Sequence, residues 1–301
     1  MSAILKVTTC TISLLLACSL AFPTIAQKEE PGTELANVLQ QASKRRQEYV
    51  NLFKDLTAVE TKITELIDKN GKVSKQRKVI SDFLVYASPI KSSAVNEYRI
   101  TREVDGKAVG KEGKQAVELF EKLAKAKTLE QEGKRLREEN LKHTLNYYRW
   151  GITLQPLLQL EIPGFTFEIV GREKLDGRET ILLKYRRNDL LPGGPSGLLR
   201  NFKDYKSGNR GRFWLDAETF RIWRWVNEST VVDRDIPEEV VYMRDEVEYE
   251  PSAFGPNIPR RIITTFYDKA EKQSVRLAGR ITYTYQEFKR FDVKTDYEIQ
   301  K

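Results

Sequence analysis

The chain has little of what metal and thiol chemistry is built from. Its 301 residues include two cysteines, Cys10 and Cys18, and one histidine, His143. A zinc site draws several ligands from those residue types, so none is expected. A Ser-His-Asp system would have to use His143, which sits in a polar helical stretch with no partner that the pattern identifies. A phosphate loop is also missing. Val109-Gly110-Lys111-Glu112-Gly113-Lys114 contains two Gly-Lys steps without the required spacing. The chain has no internal repeat and no low-complexity tract. Carboxylates are plentiful, as in Glu138-Glu139, Glu238-Glu239 and Asp245-Glu246, but acid–base catalysis needs two at a fixed separation in a cleft. Runs of this kind read as solvated faces. No catalytic residue, metal or cofactor is expected, and a carboxylate hydrolase ranks last among the readings.

The longest apolar run, Ile12 to Phe22, falls short of the roughly 20 residues that span a bilayer. It does fit an export signal. Lys6 precedes it, Pro23-Thr24-Ile25-Ala26 closes it with small residues, and charge returns at Lys28-Glu29-Glu30. Cleavage after Ala26 is expected, giving a signal over 1–26, a tether over 27–32 and one domain over 33–301. The expected location is the periplasm. Leu15-Leu16-Ala17-Cys18 resembles a lipobox, so lipid anchoring through Cys18 is the alternative. Cleavage after Ala26 removes both cysteines, and stability must then come from core burial without disulfides.

The formal charge is +8. Basicity of this modest size suits an anionic membrane surface, or serves solubility alone. Lys and Arg are dispersed rather than clustered, which argues against nucleic acid.

Along the chain, Leu35, Val38, Leu39, Ala42, Tyr49, Phe53 and Leu56 recur at helical spacing with charge between them. From Thr57 the period becomes two, and Asn70-Gly71 supplies a turn before a partner strand from Val73 to Tyr86. Glu97 to Val109 reads as a hairpin across Asp105-Gly106. Ala116, Leu119, Phe120 and Leu123 mark a helix. Thr128-Leu129-Glu130-Gln131 fits a capping box that starts another, very polar one. The rest is strand after strand: Phe165 to Leu175, Arg178 to Arg187, Arg212 to Asp216, Phe220 to Val232, Val240 to Glu250, Pro259 to Asp268 and Arg276 to Phe288. About ten strands joined by tight turns imply an antiparallel sheet in an α+β fold. Leu191 to Gly211 is expected to be a long loop, with Leu198, Leu199 and Phe202 beside Arg200, Lys203 and Lys206.

The aromatic candidates are Trp214, Trp223 and Trp225, all in one expected hairpin. Trp223 and Trp225 are two apart, which puts them on one face with Arg221. They can be ordinary core residues, or they can wall a site for an apolar ligand, since such sites are mostly aromatic and aliphatic.

Two stretches carry a family resemblance. Phe167-Glu168-Ile169-Val170-Gly171-Arg172-Glu173-Lys174-Leu175-Asp176-Gly177-Arg178-Glu179-Thr180 resembles the strand, bend and Asp-Gly-Arg turn of the LolA-like lipoprotein-carrier superfamily. Gly211-Arg212-Phe213-Trp214-Leu215-Asp216-Ala217-Glu218-Thr219 is similar to its Trp-Leu-Asp strand end. The resemblance implies a strongly curved antiparallel sheet, a half-open β-barrel, with helices packed on its concave side and a cavity for acyl chains. It implies a non-enzymatic periplasmic protein that binds a lipid or lipoprotein; Trp214, Trp223 and Trp225, taken from their own hairpin pattern, are the ligand-binding candidates. An envelope interaction or sensing module with a filled cavity is the alternative. The chain departs from the compact carriers in its size, its charged helix over 130–142 and its expected 191–211 loop.

Overall fold

The computed structural model describes residues 31–53, 56–87, 95–109, 125, 127–141, 143–145, 153, 155–160, 163–192, 202, 204–234, 236–270 and 274–290. The export signal expected over 1–26, the helix expected over 116–123 and both cysteines lie outside the described residues.

Helix α1 (Pro31–Phe53) is followed by strands β1 (Leu56–Ile67), β2 (Val73–Ala87), β3 (Val95–Val104) and the two-residue β4 (Lys107–Ala108). Helices α2 (Leu129–Leu141) and α3 (Gln155–Gln159) come next. Then follow β5 (Phe165–Leu175), β6 (Arg178–Arg187), β7 (Leu191–Pro192), β8 (Lys206–Asp216), β9 (Ile222–Asp233), β10 (Ile236–Glu250), β11 (Ile258–Lys269) and β12 (Val275–Arg290). All strands belong to one sheet, in the order β4-β3-β2-β1-β12-β11-β10-β9-β8-β6-β5, with β7 paired to β8. Every pairing is antiparallel, as the tight turns predict. The sheet is not closed: β4 and β5 are its edges, and the segment between them in sequence, which holds α2 and α3, connects one edge to the other.

Local chemistry explains most element ends. Asp105-Gly106 and Asp176-Gly177 both have positive φ at their two residues, +49° and +80° in the first and +51° and +81° in the second. That backbone twist matches the strands it joins. Pro31 opens α1 where its missing N–H costs nothing, so the helix starts inside the expected tether. The Thr128 hydroxyl accepts from the Gln131 backbone N–H, and Gln131 reaches back to the Lys127 N–H, which fixes the start of α2. Strand β8 begins at Lys206, earlier than expected. Leu191–Pro192 pairs with it, so the expected 191–211 loop is a shorter connection between two paired strands.

The main core lies on one face of the sheet. It joins Val38, Ala42 and Tyr49 of α1 to Leu183, Phe213, Trp225, Val247, Ile262 and Tyr283 of successive strands. Leu160, just after α3, packs against the same cluster. A smaller cluster forms around Phe202, Val231 and Ile236.

Candidate functional site

Helix α1 crosses the buried face with Val38, Ala42 and Tyr49 against it. The guanidinium of Arg45 fastens it, donating to the Thr219 carbonyl (3.0 Å) in the β8–β9 turn and pairing with Glu48 at 2.8 Å. Between the helix and the sheet runs a seam walled by Ala42, Tyr49, Phe220, Ile222 and Tyr249, with Arg45, Arg46, Glu48 and Arg221 as its charged lining. The rings of Tyr49 and Tyr249 meet edge to face with centroids 6.4 Å apart, a favoured arrangement for two aromatic quadrupoles. The Tyr249 hydroxyl is buried with no hydrogen-bond partner among the described residues. Burial pushes both phenols up from their ordinary value, with Tyr249 and then Glu97 adding to the shift at Tyr49. The space in the seam that water can enter is about 20 Å³. That is room for one molecule.

Next to this seam the buried face carries charge. Strand β1 turns Glu60, Lys62 and Thr64 inward and leaves Val59, Thr61 and Ile63 half-buried on the other side. Arg99 on β3 answers Glu60 with its Nε at 2.8 Å and Glu97 with its Nη1 at 3.1 Å. Its guanidinium also lies 5.0 Å from the Phe83 ring centre and 5.8 Å from that of Tyr283, close enough for a cation to feel the face of each ring. Burial works against the charge on Arg99, but Glu60 and Glu97 outweigh it and raise its pKa. Glu97 also accepts the backbone N–H of Thr153 at 3.0 Å and the Thr153 hydroxyl. The network thus ties the edge-to-edge connection onto β3. The two buried carboxylates are not a free acid–base pair, because Arg99 binds both. His143 lies just past α2 with φ +62° and is half-buried.

The hairpin holding the tryptophans departs from the expected geometry. Leu215 pairs with Ile222 and Trp214 with Arg224, so Trp223 is an extra residue in β9, a β-bulge. The bulge breaks the two-residue period. Trp225 is fully buried in the main core (0 % exposed), whereas Trp223 stands outside it. The Trp223 indole N–H donates to Asp216 at 3.0 Å, and Arg178 stacks 4.0 Å over its ring. The two tryptophans therefore do not share a face. Trp214 points away from the main core, donates to Glu173 and has Arg224 above its ring at 5.3 Å. The structure does not bring the three indoles together.

The two sequence stretches that carry the resemblance do specific work. Asp216 accepts from the backbone N–H groups of Glu218 and Thr219, the Thr219 hydroxyl and the Trp223 indole. Burial tends to raise its pKa, yet these bonds lower it overall. Gly211 leaves room for Tyr185, which lies across β8 to donate to Asn227 Oδ1 at 2.8 Å. A Cβ at Gly211 would sit 2.1 Å from the Val226 carbonyl oxygen and 2.5 Å from the Tyr185 hydroxyl. In β5 the register shifts beside Gly171, which is the bend expected there.

No protein-family model and no curated protein matches the chain. Among solved structures it is similar to a LolA superfamily protein from Nitrosomonas europaea, with 11% identity, 88% of this chain and 97% of that one covered, and a TM-score of 0.37. It is similar also to a putative outer membrane lipoprotein-sorting protein domain from Vibrio parahaemolyticus (11% identity, 87% and 95% covered, TM-score 0.39). A third is the Mycobacterium tuberculosis lipoprotein LppX (9% identity, 84% and 95% covered, TM-score 0.25). Likeness at this distance does not carry a function from one chain to another.

Proposed function

We propose that the chain is a non-catalytic envelope protein, exported by its leader, that takes an acyl chain of a lipid or lipidated polypeptide between α1 and the sheet. In this reading 33–301 is one domain. The sheet is a half-open barrel with α1 on its concave side, and α1 acts as a cover. One observation supports it above all: the seam under α1. It has apolar walls, a buried tyrosine hydroxyl without a partner among the described residues, and three arginines against one carboxylate, Glu48, among its polar lining. The walls suit methylenes, and the arginines suit an anionic head group. Small-molecule sites have volumes of ~300–1,000 Å³. The 20 Å³ of the seam therefore requires α1 to lift as the chain enters. Acyl burial at roughly 25 cal/mol per Å² supplies the driving force.

The test is titration of a fluorescent fatty acid into the mature protein. Binding in the micromolar range is expected, about −8 kcal/mol. Phe220 has φ +57°. Asparagine tolerates that conformation, so Phe220→Asn removes one wall of the seam without backbone strain. It should weaken binding roughly tenfold, or about 1.4 kcal/mol. A folded protein that ignores the probe would sink the carrier reading. The second reading, an interaction module whose concavity stays filled, would then lead. It is favoured by how nearly α1 fills the seam in this conformation.

A further inference from the structure

We infer a second site on the opposite face of the sheet, across β6, β8, β9 and β10, for a phosphate-bearing ligand. The strand register is the first ground. Lys184 on β6 lies directly opposite Arg212 on β8, and Arg186 lies opposite Arg210 two residues along. Four cations thus form a two-by-two block on one face. Like charges directly opposite in a sheet are destabilising, so folding alone gives no reason to put two such pairs side by side. Glu239 answers Arg186, and Glu228 answers Arg210 at 2.8 Å. Lys184 and Arg212 have no carboxylate partner among the described residues. Glu168 stands opposite Lys184 on β5 without forming an ion pair with it.

The block continues onto the next two strands. Arg224 pairs with Glu246 at 2.9 Å, while Arg244 divides between Glu228 at 3.3 Å and Glu246 at 3.0 Å. The Nε of Arg224 is buried with no acceptor among the described residues. These side chains line a cleft of about 540 Å³ in which six cations outnumber the three carboxylates that pair with them, Glu228, Glu239 and Glu246. Trp214 and Val226 line it as well. That volume exceeds what a bare ion needs and falls in the range of small-molecule sites. Several guanidinium forks beside an unpaired ammonium match a group with three acceptor oxygens and more than one negative charge, which is a phosphate ester. The ligand is either a soluble phosphorylated compound or the phosphate of a lipid head group. This site stands apart from the seam under α1 and does not depend on it.

The full mature chain is titrated calorimetrically with pyrophosphate at low ionic strength. In parallel it is sedimented with phosphatidylcholine vesicles, with and without phosphatidylglycerol. The wild type should bind at least one probe. The double variant Lys184→Ala/Arg212→Ala should lose at least tenfold in that binding, with a Tm equal to or above the wild type because a like-charge pair is gone. Arg260→Ala is the control. Arg260 is paired with Glu248 outside the cleft and should leave binding unchanged. Pyrophosphate binding assigns a soluble ligand; binding only to phosphatidylglycerol vesicles assigns the head group. The site is refuted if neither probe binds or if binding survives the double variant. It is equally refuted if Arg260→Ala weakens binding as much, or if the double variant lowers the Tm by several degrees.

Discussion

Replacing Arg99 by methionine leaves Glu60 and Glu97 buried without the cation that holds them. Their side chains are 1% and 0% exposed, and that of Arg99 is 7% exposed, so water cannot take over its role. Removing one partner of a buried ion pair costs about 3–5 kcal/mol. The lost contact with the Phe83 and Tyr283 rings adds about 1 kcal/mol. In a chain of this size each kcal/mol lowers Tm by about 2–4 °C, so a fall of roughly 8–24 °C is expected. Lys62, buried beside Glu60, offers partial compensation and favours the lower end. Urea unfolding followed by tryptophan fluorescence reads the change as a shift in midpoint at constant slope. The triple variant Glu60→Met/Glu97→Gln/Arg99→Met removes all three charges and keeps an acceptor for Thr153. Buried ion networks replaced by matched neutral side chains are often neutral in stability, so the triple variant should recover most of the loss. A single variant that loses less than about 1 kcal/mol, or a triple variant no better than the single one, would refute the reasoning.

Two further outcomes follow from buried groups. Gly211→Ala drives a Cβ into the Val226 carbonyl and the Tyr185 hydroxyl, so it should cost about 3 kcal/mol, read by the same urea titration. A Tyr185→Phe/Gly211→Ala pair should recover only part of this, because the clash with the carbonyl remains. Lys62 concerns pH: burial lowers its pKa from 10.5 to about 8, with Glu60 opposing the shift. Between those values the unfolded chain holds a proton that the folded chain has released. Stability therefore rises with pH through that window and loses the gain as pH falls to about 8. Lys62→Met should flatten this rise and add up to about 3 kcal/mol near neutral pH, at about 1.36 kcal/mol per pKa unit. Denaturation midpoints taken at several pH values from about 7 to about 9.5 check it, below the range where the buried tyrosines titrate. An unchanged slope would rule out Lys62 as the cause.

The parts whose physics is local are legible in the residues alone. An Asp-Gly pair between two alternating runs specifies a tight hairpin whichever strands lie beyond it, so Asp105-Gly106 and Asp176-Gly177 were legible. The stripe beginning at Leu35 specified α1 in the same way, except that its last member, Leu56, opens β1 instead, and Thr128 with Gln131 specified the start of α2. The antiparallel character followed from short connections. Tertiary structure decided which way side chains point. The period in β1 was plain, yet its polar residues Glu60 and Lys62 face inward, because β3 places Arg99 there and the neighbouring β12 sets Tyr283 and Tyr285 on the same face. The spacing of Trp223 and Trp225 promised a shared face. One extra residue opposite Trp214 and Leu215 cancelled it, and a bulge is a property of the pair of strands rather than of either one. The cationic block is the clearest case. Lys184 and Arg212 are far apart in sequence and look dispersed when read along the chain. They become neighbours only because β6 pairs with β8, and cross-strand register is what sets the distance between charges on a sheet.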